Sequence, residues 1–288
     1  MTTKNAYAKI NLTLEIREKR EDGYHNIRSV MQKVTLCDSL NFEKNEDDKI
    51  VLTCNVDVCA PEDNLAYKAA VKYLDMYKKE QGKSFGVKIH IDKHIPDKAG
   101  LAGGSADCAC VLDYLYETYG GIGYEKVEEI AASLGSDINF CLGKYICALC
   151  TDRGIVLEKC APFDGKYILI CVPDHGMKTS EIYRAFDDSP ILYDGNPSEQ
   201  VKNLLNNNKQ ENIYDFTVNS FAPICEKACP DITLIKDTMK KSGALASQMS
   251  GSGSSVYGIF ENEDDLNLCF AELSEKFKKC YKCATVIE

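Results

Sequence analysis

The sequence lacks long hydrophobic runs and any excess of positive charge. Its 288 residues include 34 Lys and Arg against 44 Asp and Glu, a formal net charge of −10 at pH 7. Nucleic acid and anionic membrane surfaces are therefore not expected as main partners, which leaves room only for a local basic pocket. The first ten residues, MTTKNAYAKI, have no apolar core of signal-peptide length, and no run approaches a transmembrane span. These absences favour a cytoplasmic protein with no nucleic-acid partner and no membrane partner.

The fifteen cysteines lack the regular spacing of a small disulfide scaffold. Two C-x-x-C pairs occur, Cys147/Cys150 and Cys280/Cys283. The first pair lies in a stretch of strand character, where positions i and i+3 face opposite sides and do not readily share a metal ion. Reduced thiols that pack as small hydrophobic side chains are the preferred interpretation, and a zinc site is the less favoured alternative.

Hydrophobic periodicity predicts a chain of mixed helices and strands in two domains. Residues 8–17 alternate between apolar and polar side chains, which predicts a half-buried strand with a polar face. Helical patterns cover residues 63–82 and 124–135. Beyond residue 230, a helix, two strands around a Gly-Ser turn, a helix and a strand predict an α+β layer. The composition changes near Cys160, which predicts domains 1–160 and 161–288.

A glycine-rich stretch, IPDKAGLAGGSADCACVL (residues 95–112), leads from a Pro-containing turn into an apolar run at helical spacing. Glycine is costly to order unless the backbone needs unusual angles or a close approach. A loop of this kind at a helix N-terminus presents free N–H groups and suits phosphate. The stretch matches neither G-x-x-x-x-G-K-[ST] nor G-x-G-x-x-G. Taken alone, it is equally well explained as a tight strand–helix connection.

Four other pairs or single residues have side chains or turns that suit a site. They are Lys9 and Asn11 in AYAKINL, Tyr24 and His25 in REDGYHNI, Asp137 in GSDINF, and Gly251 and Ser252 in MSGSGSSVYGIF. Each has a structural alternative: a solvated strand face, a hairpin with a half-buried Tyr, a helix cap and a hairpin turn, respectively.

Together and in this order, the motifs resemble those of the GHMP kinase superfamily. They are A-K-I-N-L, R-x-D-G-Y-H, P-x-x-x-G-L-x-G-G-S, G-x-D and S-G-S-G-S. The resemblance implies an α+β fold with an N-terminal ribosomal-protein-S5-like domain, a C-terminal ferredoxin-like layer and an active site in the cleft between them. The D-G-Y-H segment restricts the resemblance to one activity of the superfamily. That activity is the ATP-dependent phosphorylation of the 2-hydroxyl of 4-(cytidine 5'-diphospho)-2-C-methyl-D-erythritol, in the non-mevalonate isoprenoid pathway.

The resemblance also assigns roles to residues. Asp137 would accept the hydroxyl proton, and Lys9 would hold Asp137 and the hydroxyl in place. Tyr24 would stack on cytosine, and His25 would form a hydrogen bond with it. ATP and Mg²⁺ are the implied cofactors, with Ser105 contacting a phosphate or the metal. The implied cofactor-binding residues are Lys93, Pro96, Gly100, Leu101, Ala102, Gly103, Gly104, Ser105 and Ala106. The implied substrate-binding residues are Asn11, Tyr24, His25, Thr179, Tyr183, Gly251 and Ser252.

The loop departs from the pattern G-L-G-G-G-S-S-N-A of the superfamily member. Ala102 replaces a glycine, so a negative φ is expected there, and Ala106 removes a hydroxyl. Asp107 replaces Asn and adds a negative charge near the triphosphate, which is unfavourable unless magnesium or a lysine offsets it.

Two alternative functions stay open at this point. One is a kinase of the superfamily that acts on mevalonate, homoserine or a sugar. The other is a non-catalytic binding module with the same fold. A monomer or weak homodimer is expected in each case.

Overall fold

The computed structural model describes residues 1–57 and 59–287, which form two compact units. Unit 1 comprises Met1–Ala8, Cys37–Asp97 and Ala102–Tyr145, and unit 2 comprises Lys9–Leu36, Lys98–Leu101 and the chain from Ile146 onward. The expected boundary near residue 160 lies inside unit 2, where Cys160 N–H donates to Cys147 O at 3.0 Å. The compact units therefore differ from a simple division of the chain at that point, because early segments of the chain pack with late ones.

Eleven strands and nine α-helices make up the described chain. The strands are β1 (Thr2–Asn11), β2 (Glu15–Lys19), β3 (His25–Asn45), β4 (Ile50–Cys54), β5 (Gly86–Asp92), β6 (Cys147–Thr151), β7 (Val156–Lys159), β8 (Tyr167–Val172), β9 (Ala246–Met249), β10 (Val256–Phe260) and β11 (Lys279–Ala284). The helices are α1 (Leu65–Gln81), α2 (Gly103–Tyr119), α3 (Tyr124–Leu134), α4 (Ile138–Cys141), α5 (Thr179–Asp188), α6 (Pro197–Asn206), α7 (Ala222–Ala228), α8 (Pro230–Lys241) and α9 (Glu263–Ser274). None of the helices in these ranges is long and apolar enough to cross a membrane.

In unit 1, a small sheet and a group of packed helices form the core. The second half of β3 pairs with β5 in antiparallel fashion, and β5 pairs with β4 in parallel. Helix α1 packs against α2 and α3. It begins after Asn64, whose side chain accepts from Ala66 N–H at 2.9 Å, and it ends at Gly82 with φ +65. The predicted start and stop of this helix are confirmed, since both depend on local capping chemistry.

Unit 2 contains a four-stranded antiparallel sheet in the order β11–β8–β10–β9. Helices α8 and α9 contact this sheet and each other. Their apolar side chains meet those of the strands in one buried cluster, which includes Leu169, Val256, Ile235, Met239, Leu266 and Leu273. The predicted order of helix, hairpin, helix and strand is confirmed, and with it the expected α+β layer.

The strand predicted over residues 8–17 is interrupted in the structure. β1 ends at Asn11 and β2 begins at Glu15, where it pairs with the start of β3. Between them, Leu14 bonds to another segment: its N–H donates to Val218 O at 2.7 Å, and its carbonyl accepts from Ser220 N–H at 2.8 Å. Alternation alone predicts one strand, because it does not show which partner each residue finds.

Most cysteines are buried free thiols. Cys147 and Cys150 are both buried within β6. Burial raises the pKa of the Cys108 and Cys110 thiols above the ordinary value, because a thiolate is poorly solvated in the interior. These thiols therefore pack as small hydrophobic groups, as the sequence indicated.

A buried ion cluster connects β3, β5 and the start of α2. Lys93 Nζ contacts Asp38 Oδ2 and lies 2.7 Å from Asp107 Oδ2. The other oxygen of Asp38 accepts from Ile95 N–H at 2.8 Å and from His94 N–H at 2.5 Å. The cluster therefore fixes the chain just before the glycine-rich loop. It also places Lys93 beside Asp107, so that a lysine offsets the negative charge of this carboxylate, as the sequence analysis requires.

Asp107 is the member of the cluster whose ionised form is least stabilised by its surroundings. Its Oδ1 is buried and has no hydrogen-bond partner within the described part of the chain. Burial raises the pKa of Asp107 to about 7, although the Lys93 ammonium acts in the opposite direction. The carboxyl group of Asp107 therefore holds a proton more tightly in the folded chain than in the unfolded one.

Asp107→Asn tests this raised pKa. The folded state binds more protons than the unfolded state between about pH 4 and pH 7, so the wild type loses stability from this group as pH rises through that window. We expect the free energy of unfolding of Asp107→Asn, relative to wild type, to increase by more than about 1 kcal/mol from about pH 5 to about pH 7.5, because one pKa unit corresponds to about 1.4 kcal/mol. Urea unfolding followed by circular dichroism at both pH values measures the change.

Glu117→Gln is the matched control for this experiment. Glu117 lies on the same helix, and its side chain is 58% exposed. The free energy of unfolding of Glu117→Gln, relative to wild type, should therefore not change with pH in this window. A difference between Asp107→Asn and wild type that stays constant with pH would contradict the raised pKa.

Candidate active site

The side-chain amide of Asn11 is the centre of a buried polar network in unit 2. Its Oδ1 accepts from Lys9 Nζ at 2.6 Å, and its Nδ2 donates to Ser29 Oγ at 2.7 Å. The backbone N–H of Asn11 donates to Ser250 Oγ at 3.3 Å, and its carbonyl accepts from the Tyr257 hydroxyl at 2.9 Å. Lys9 and Asn11 are at most 3% exposed. A solvated strand face, the structural alternative for these two residues, is therefore wrong.

Two glycine turns lie against each other beside this network. Gly100 has φ +78 and Gly251 has φ +58, which favour glycine. A Cβ on Gly100 would lie 2.2 Å from Ser250 O, and one on Gly251 would lie 3.3 Å from Lys9 Nζ. Leu101 O accepts from Lys9 N–H at 3.1 Å. The absence of side chains at the two glycines lets the two turns pack against each other and lets the Gly251 turn approach the ammonium of Lys9.

In unit 1, the chain enters α2 through Ala102, whose φ of +59 is left-handed. The expected negative φ is therefore wrong, and the conformation costs a residue with a side chain about 1–2 kcal/mol. The helix still begins normally from this residue, since Ala106 N–H donates to Ala102 O at 2.8 Å and closes the first turn. Gly103–Ser105 follow directly, and the N–H groups at this end of a helix suit an anion.

The ion cluster lies directly beneath this loop. A Cβ on Gly103 would lie 2.9 Å from Ile95 Cγ2 and 3.4 Å from Lys93 Nζ, so this position must stay small. At Gly104 the nearest atom to a Cβ is Leu65 Cδ1, at 3.8 Å. Lys93 already contacts two carboxylates and is 10% exposed, so it supports the loop from below. Among the other residues assigned to the cofactor, Pro96 and Ser105 are half-buried, and Leu101 and Ala106 are buried.

Asp137 lies in unit 1, immediately before the short helix α4. Its φ of −79 and ψ of −12 are helical, and its side chain forms no capping hydrogen bond to α4. The helix-cap alternative for this carboxylate is therefore wrong. The backbone carbonyl of Asp137 instead accepts from Cys141 N–H at 3.1 Å, as an ordinary helical residue does.

Tyr24 and His25 follow the Asp-Gly turn between β2 and β3, and their side chains have different surroundings. The Tyr24 ring is 56% exposed, and the Arg153 guanidinium lies 3.8 Å from its centre. The His25 ring is buried against Tyr183, with the ring centres 5.3 Å apart and the planes at 28°. Asp22 Oδ1 accepts from Tyr24 N–H at 3.1 Å, which fixes the turn. The predicted Tyr-His pair is therefore one exposed ring and one buried ring.

Helix α5 brings two more of the predicted residues to unit 2. Thr179 Oγ1 lies 2.9 Å from Ser252 Oγ, so the start of α5 meets the glycine turn that follows β9. Tyr183, one turn later, faces His25. These contacts connect the hairpin and the glycine turn through one helix, although the three segments are far apart in the sequence.

Several polar residues of these networks were not predicted. Ser250 and Ser29 both bond to Asn11, and the Asn219 amide donates to Met249 O at 2.8 Å and to Gly251 O at 2.9 Å. Ser250 could have been found as the neighbour of Gly251 in the S-G-S-G-S motif. Asn219 gives no such signal, because it lies in a polar stretch without periodicity. Within residues 1–57 and 59–287, no group of three or more His, Cys, Asp or Glu side chains could hold a metal ion.

Comparison with known proteins gives matches along nearly the whole chain. The family model for the GHMP kinases N terminal domain matches residues 64–143, and that for the GHMP kinases C terminal matches residues 200–279. The residues between these matches, 144–199, include the predicted domain boundary near Cys160, which stays a prediction.

Two curated relatives and one solved structure are particularly informative. A 4-diphosphocytidyl-2-C-methyl-D-erythritol kinase of Clostridium beijerinckii is 36% identical over 98% of this chain and 99% of its own length. The kinase of the same name from Caldicellulosiruptor saccharolyticus is 38% identical over 90% of this chain and 88% of its own. A crystal structure of 4-(cytidine 5'-diphospho)-2C-methyl-D-erythritol kinase is 27% identical, with a TM-score of 0.80 and coverage of 99% of both chains. The chain therefore belongs to the GHMP kinase family and, within it, to the 4-diphosphocytidyl-2-C-methyl-D-erythritol kinases.

Proposed function

We propose that this chain transfers the γ-phosphate of ATP to the 2-hydroxyl of 4-(cytidine 5'-diphospho)-2-C-methyl-D-erythritol. The observation that carries the proposal is the nearly full-length match to kinases named for this substrate. The exposed Tyr24 ring beside the buried His25 ring supports the proposal further. The alcohols that other kinases of the family phosphorylate carry no nucleobase on which such a ring could stack. The enzyme we propose is cytoplasmic and acts as a monomer or weak homodimer. The net charge of −10 disfavours nucleic acid and anionic membranes as its partners.

The chemistry proposed for Lys9 and Asp137 is modest. Phosphoryl transfer is mainly a matter of positioning and charge stabilisation, so a base needs only short reach to the hydroxyl proton. Asp137 accepts that proton, and the Lys9 ammonium holds the hydroxyl and favours the ionised carboxylate. The support for Lys9 is its fixed position: Asn11 Oδ1 holds Nζ at 2.6 Å, which removes most of the freedom of a long side chain.

The ATP phosphates bind, in this proposal, along the glycine-rich stretch and the N-terminus of α2. Gly103, Gly104 and Ser105 contribute backbone N–H groups and the positive end of the helix dipole. Gly251 lets its turn pack close to Gly100 and to Lys9 Nζ, which places this turn beside the phosphate that is transferred. Asp38 and Asp107 keep Lys93 beneath the loop, so Lys93 contributes to this site by supporting the loop from below.

Magnesium is the second proposed cofactor. Hydroxyl and phosphate oxygens are the hard ligands that this ion prefers, and in kinases it is held largely by the nucleotide itself. The Ser105 hydroxyl, in the first turn of α2, fits such a role. When bound, the ion offsets the negative charge of the phosphates.

Cytosine recognition is proposed for the hairpin and α5. Tyr24 stacks on the base, a contact that is worth about 1–3 kcal/mol and tolerates any base. His25 then provides the hydrogen bond that distinguishes cytosine. Thr179, Tyr183 and Ser252 border the same substrate, and Thr179 and Ser252 hold each other at 2.9 Å.

The product of the reaction tests the proposed function directly. Purified enzyme with ATP, Mg²⁺ and the cytidyl substrate should give a new phosphomonoester signal in phosphorus NMR, assigned to the 2-position. Mevalonate, homoserine and a sugar serve as parallel acceptors and should stay unchanged. Turnover of one of these alone would place the chain in another branch of the family, and no ATP consumption with any acceptor would favour a non-catalytic module.

Asp137→Asn should lower turnover by about 10²–10⁴-fold, the usual contribution of a positioned base. Binding of ATP and substrate should persist, because the side chain does not cap α4. Steady-state kinetics and circular dichroism measure both effects. Ser136→Ala, the neighbouring change, should leave turnover within a few-fold of wild type, and the same result for Asp137→Asn would remove Asp137 from the chemistry.

Gly104→Val tests the phosphate loop with little disturbance of packing. The nearest atom to a Cβ at this position is 3.8 Å away, so the folded chain should accommodate the side chain, which then occupies phosphate space. We expect the Kd for ATP to rise roughly tenfold or more, a loss of about 1.4 kcal/mol. Ala132→Val, on the exposed surface of α3, should bind ATP as the wild type does. Unchanged ATP affinity in folded Gly104→Val would reject the assignment.

A further inference from the structure

Asp187, at the end of α5, holds both sides of the hairpin that carries the Tyr-His pair. Its Oδ1 lies 2.8 Å from His25 Nε2, and its Oδ2 contacts Lys19 Nζ. Lys19 and His25 are directly opposite each other in the pairing of β2 with β3. One carboxylate therefore receives a contact from each strand of the hairpin.

The same helix encloses the His25 ring. Tyr183 stacks on the ring, and the Phe186 ring meets it edge-on at 6.0 Å. Tyr183, Phe186 and Asp187 are spaced three and four residues apart, so they lie on one face of α5. The side chain of His25 is 5% exposed. Nε2 faces Asp187 and aromatic side chains cover the ring, so Nδ1 is the ring nitrogen that does not face the carboxylate.

The charge of Asp187 determines which ring nitrogen of His25 carries the proton. The Lys19 ammonium, and to a lesser extent His25, hold the pKa of Asp187 below its usual range. An ionised carboxylate only accepts hydrogen bonds, so the nitrogen that faces it must be the donor. In a neutral imidazole with the proton on Nε2, Nδ1 is an acceptor.

An acceptor at Nδ1 distinguishes cytosine from uracil. Cytosine presents the N4 amino group, a donor, where uracil, like thymine, presents the O4 oxygen, an acceptor. Nδ1 can therefore accept a hydrogen bond from cytosine N4, whereas it meets a second acceptor in uracil. The ring with the proton on Nδ1 would reverse this preference.

We propose that Asp187 is a specificity-determining positioning residue: it fixes the His25 tautomer and thereby makes the site select cytidine over uridine nucleotides. The proposal rests on the proposed function, because it requires the hairpin to receive the cytosine of the substrate. It assigns to Asp187 an effect that acts through His25 and involves no contact with the base.

Nucleotide binding tests the selectivity without depending on turnover. Isothermal titration calorimetry with cytidine 5'-diphosphate and uridine 5'-diphosphate should show that the wild type prefers the cytidine nucleotide by roughly tenfold or more. In Asp187→Asn, the amide can either accept from Nε2 or donate to it, so both tautomers form. We expect that variant to lose most of the preference, while its Kd for ATP stays within about twofold of wild type, a difference of roughly 0.4 kcal/mol.

Asp188→Asn is the matched control, because it removes the same charge from the adjacent exposed position of α5. It should keep the wild-type preference, which separates a specific effect from a loss of surface charge. Lys19→Met should also keep most of the preference, since Asp187 remains beside Nε2. Circular dichroism establishes that each variant is folded.

Nitrogen NMR of the histidine ring gives a second readout that a purely structural role would not move. In the neutral ring, the His25 spectrum should show the proton on Nε2 in wild type and a mixture in Asp187→Asn. A wild-type proton on Nδ1, or an unchanged nucleotide preference in folded Asp187→Asn, would overturn the proposal. If the wild type binds cytidine and uridine diphosphates equally while the tautomer is as expected, the cytosine contact assigned to His25 is wrong, whereas the product analysis decides the proposed function separately.

Discussion

The buried amide of Asn11 is the interaction on which the arrangement of the candidate catalytic residues in unit 2 depends. Leaving a buried donor or acceptor unpaired costs about 1–3 kcal/mol, so each partner of this amide is held to its place. Lys9, Ser29 and Ser250 belong to β1, β3 and the turn after β9. Lys9 and Ser29 bond to the side-chain amide, and Ser250 Oγ donates to its Oδ1 at 3.4 Å and accepts from the backbone N–H of Asn11. The amide therefore positions the ammonium of Lys9 and the glycine turn at the same time. A hydrophobic side chain at this position would pack in the interior but would fix the position of neither the Lys9 ammonium nor the glycine turn.

In unit 1, ionic contacts position the chain, whereas in unit 2 the amide of Asn11 does so. The buried ion cluster of Asp38, Lys93 and Asp107 is costly to desolvate, and its contribution to net stability is small or negative. Its value lies in geometry, because Lys93 joins two carboxylates, and removal of this lysine would leave both without the cation they contact. Asp38 also binds two backbone N–H groups, so the cluster fixes the path of the chain before the glycine-rich loop. The extra negative charge of Asp107 is in this way part of a neutralised group and does not stand alone beside the loop.

The hairpin and α5 show how a recognition surface is built from elements that each have a structural reason to exist. The Asp-Gly turn sets the two strands in register, and the apolar face of α5 packs on the core through Ile182 and Phe186. Only the remaining positions of that helix are available for polar contacts, and Thr179 and Asp187 use them. Selectivity of the kind we propose therefore needs no loop of its own.

The sequence by itself determined the elements whose causes are local. Helix α1 begins after the side-chain cap of Asn64 and ends at Gly82, and the last helices and strands follow their own periodicity, because capping and amphipathic patterning act over a few residues. The ordered motifs also identified the family, since the residue types that hold phosphate and a base are few. Their places in the chain, although not their contacts, could be read directly.

Only the tertiary structure decided what those residues touch. The polar face of the first strand is buried because Ser29, Ser250 and Tyr257, distant in sequence, satisfy it. Ala102 adopts a left-handed conformation at the turn into α2, although its own side chain disfavours it. The strand over residues 8–17 breaks at Leu14 because a segment some two hundred residues later offers it a partner. Each of these outcomes depends on groups brought together by folding, and local patterns in the sequence contain no record of such partners.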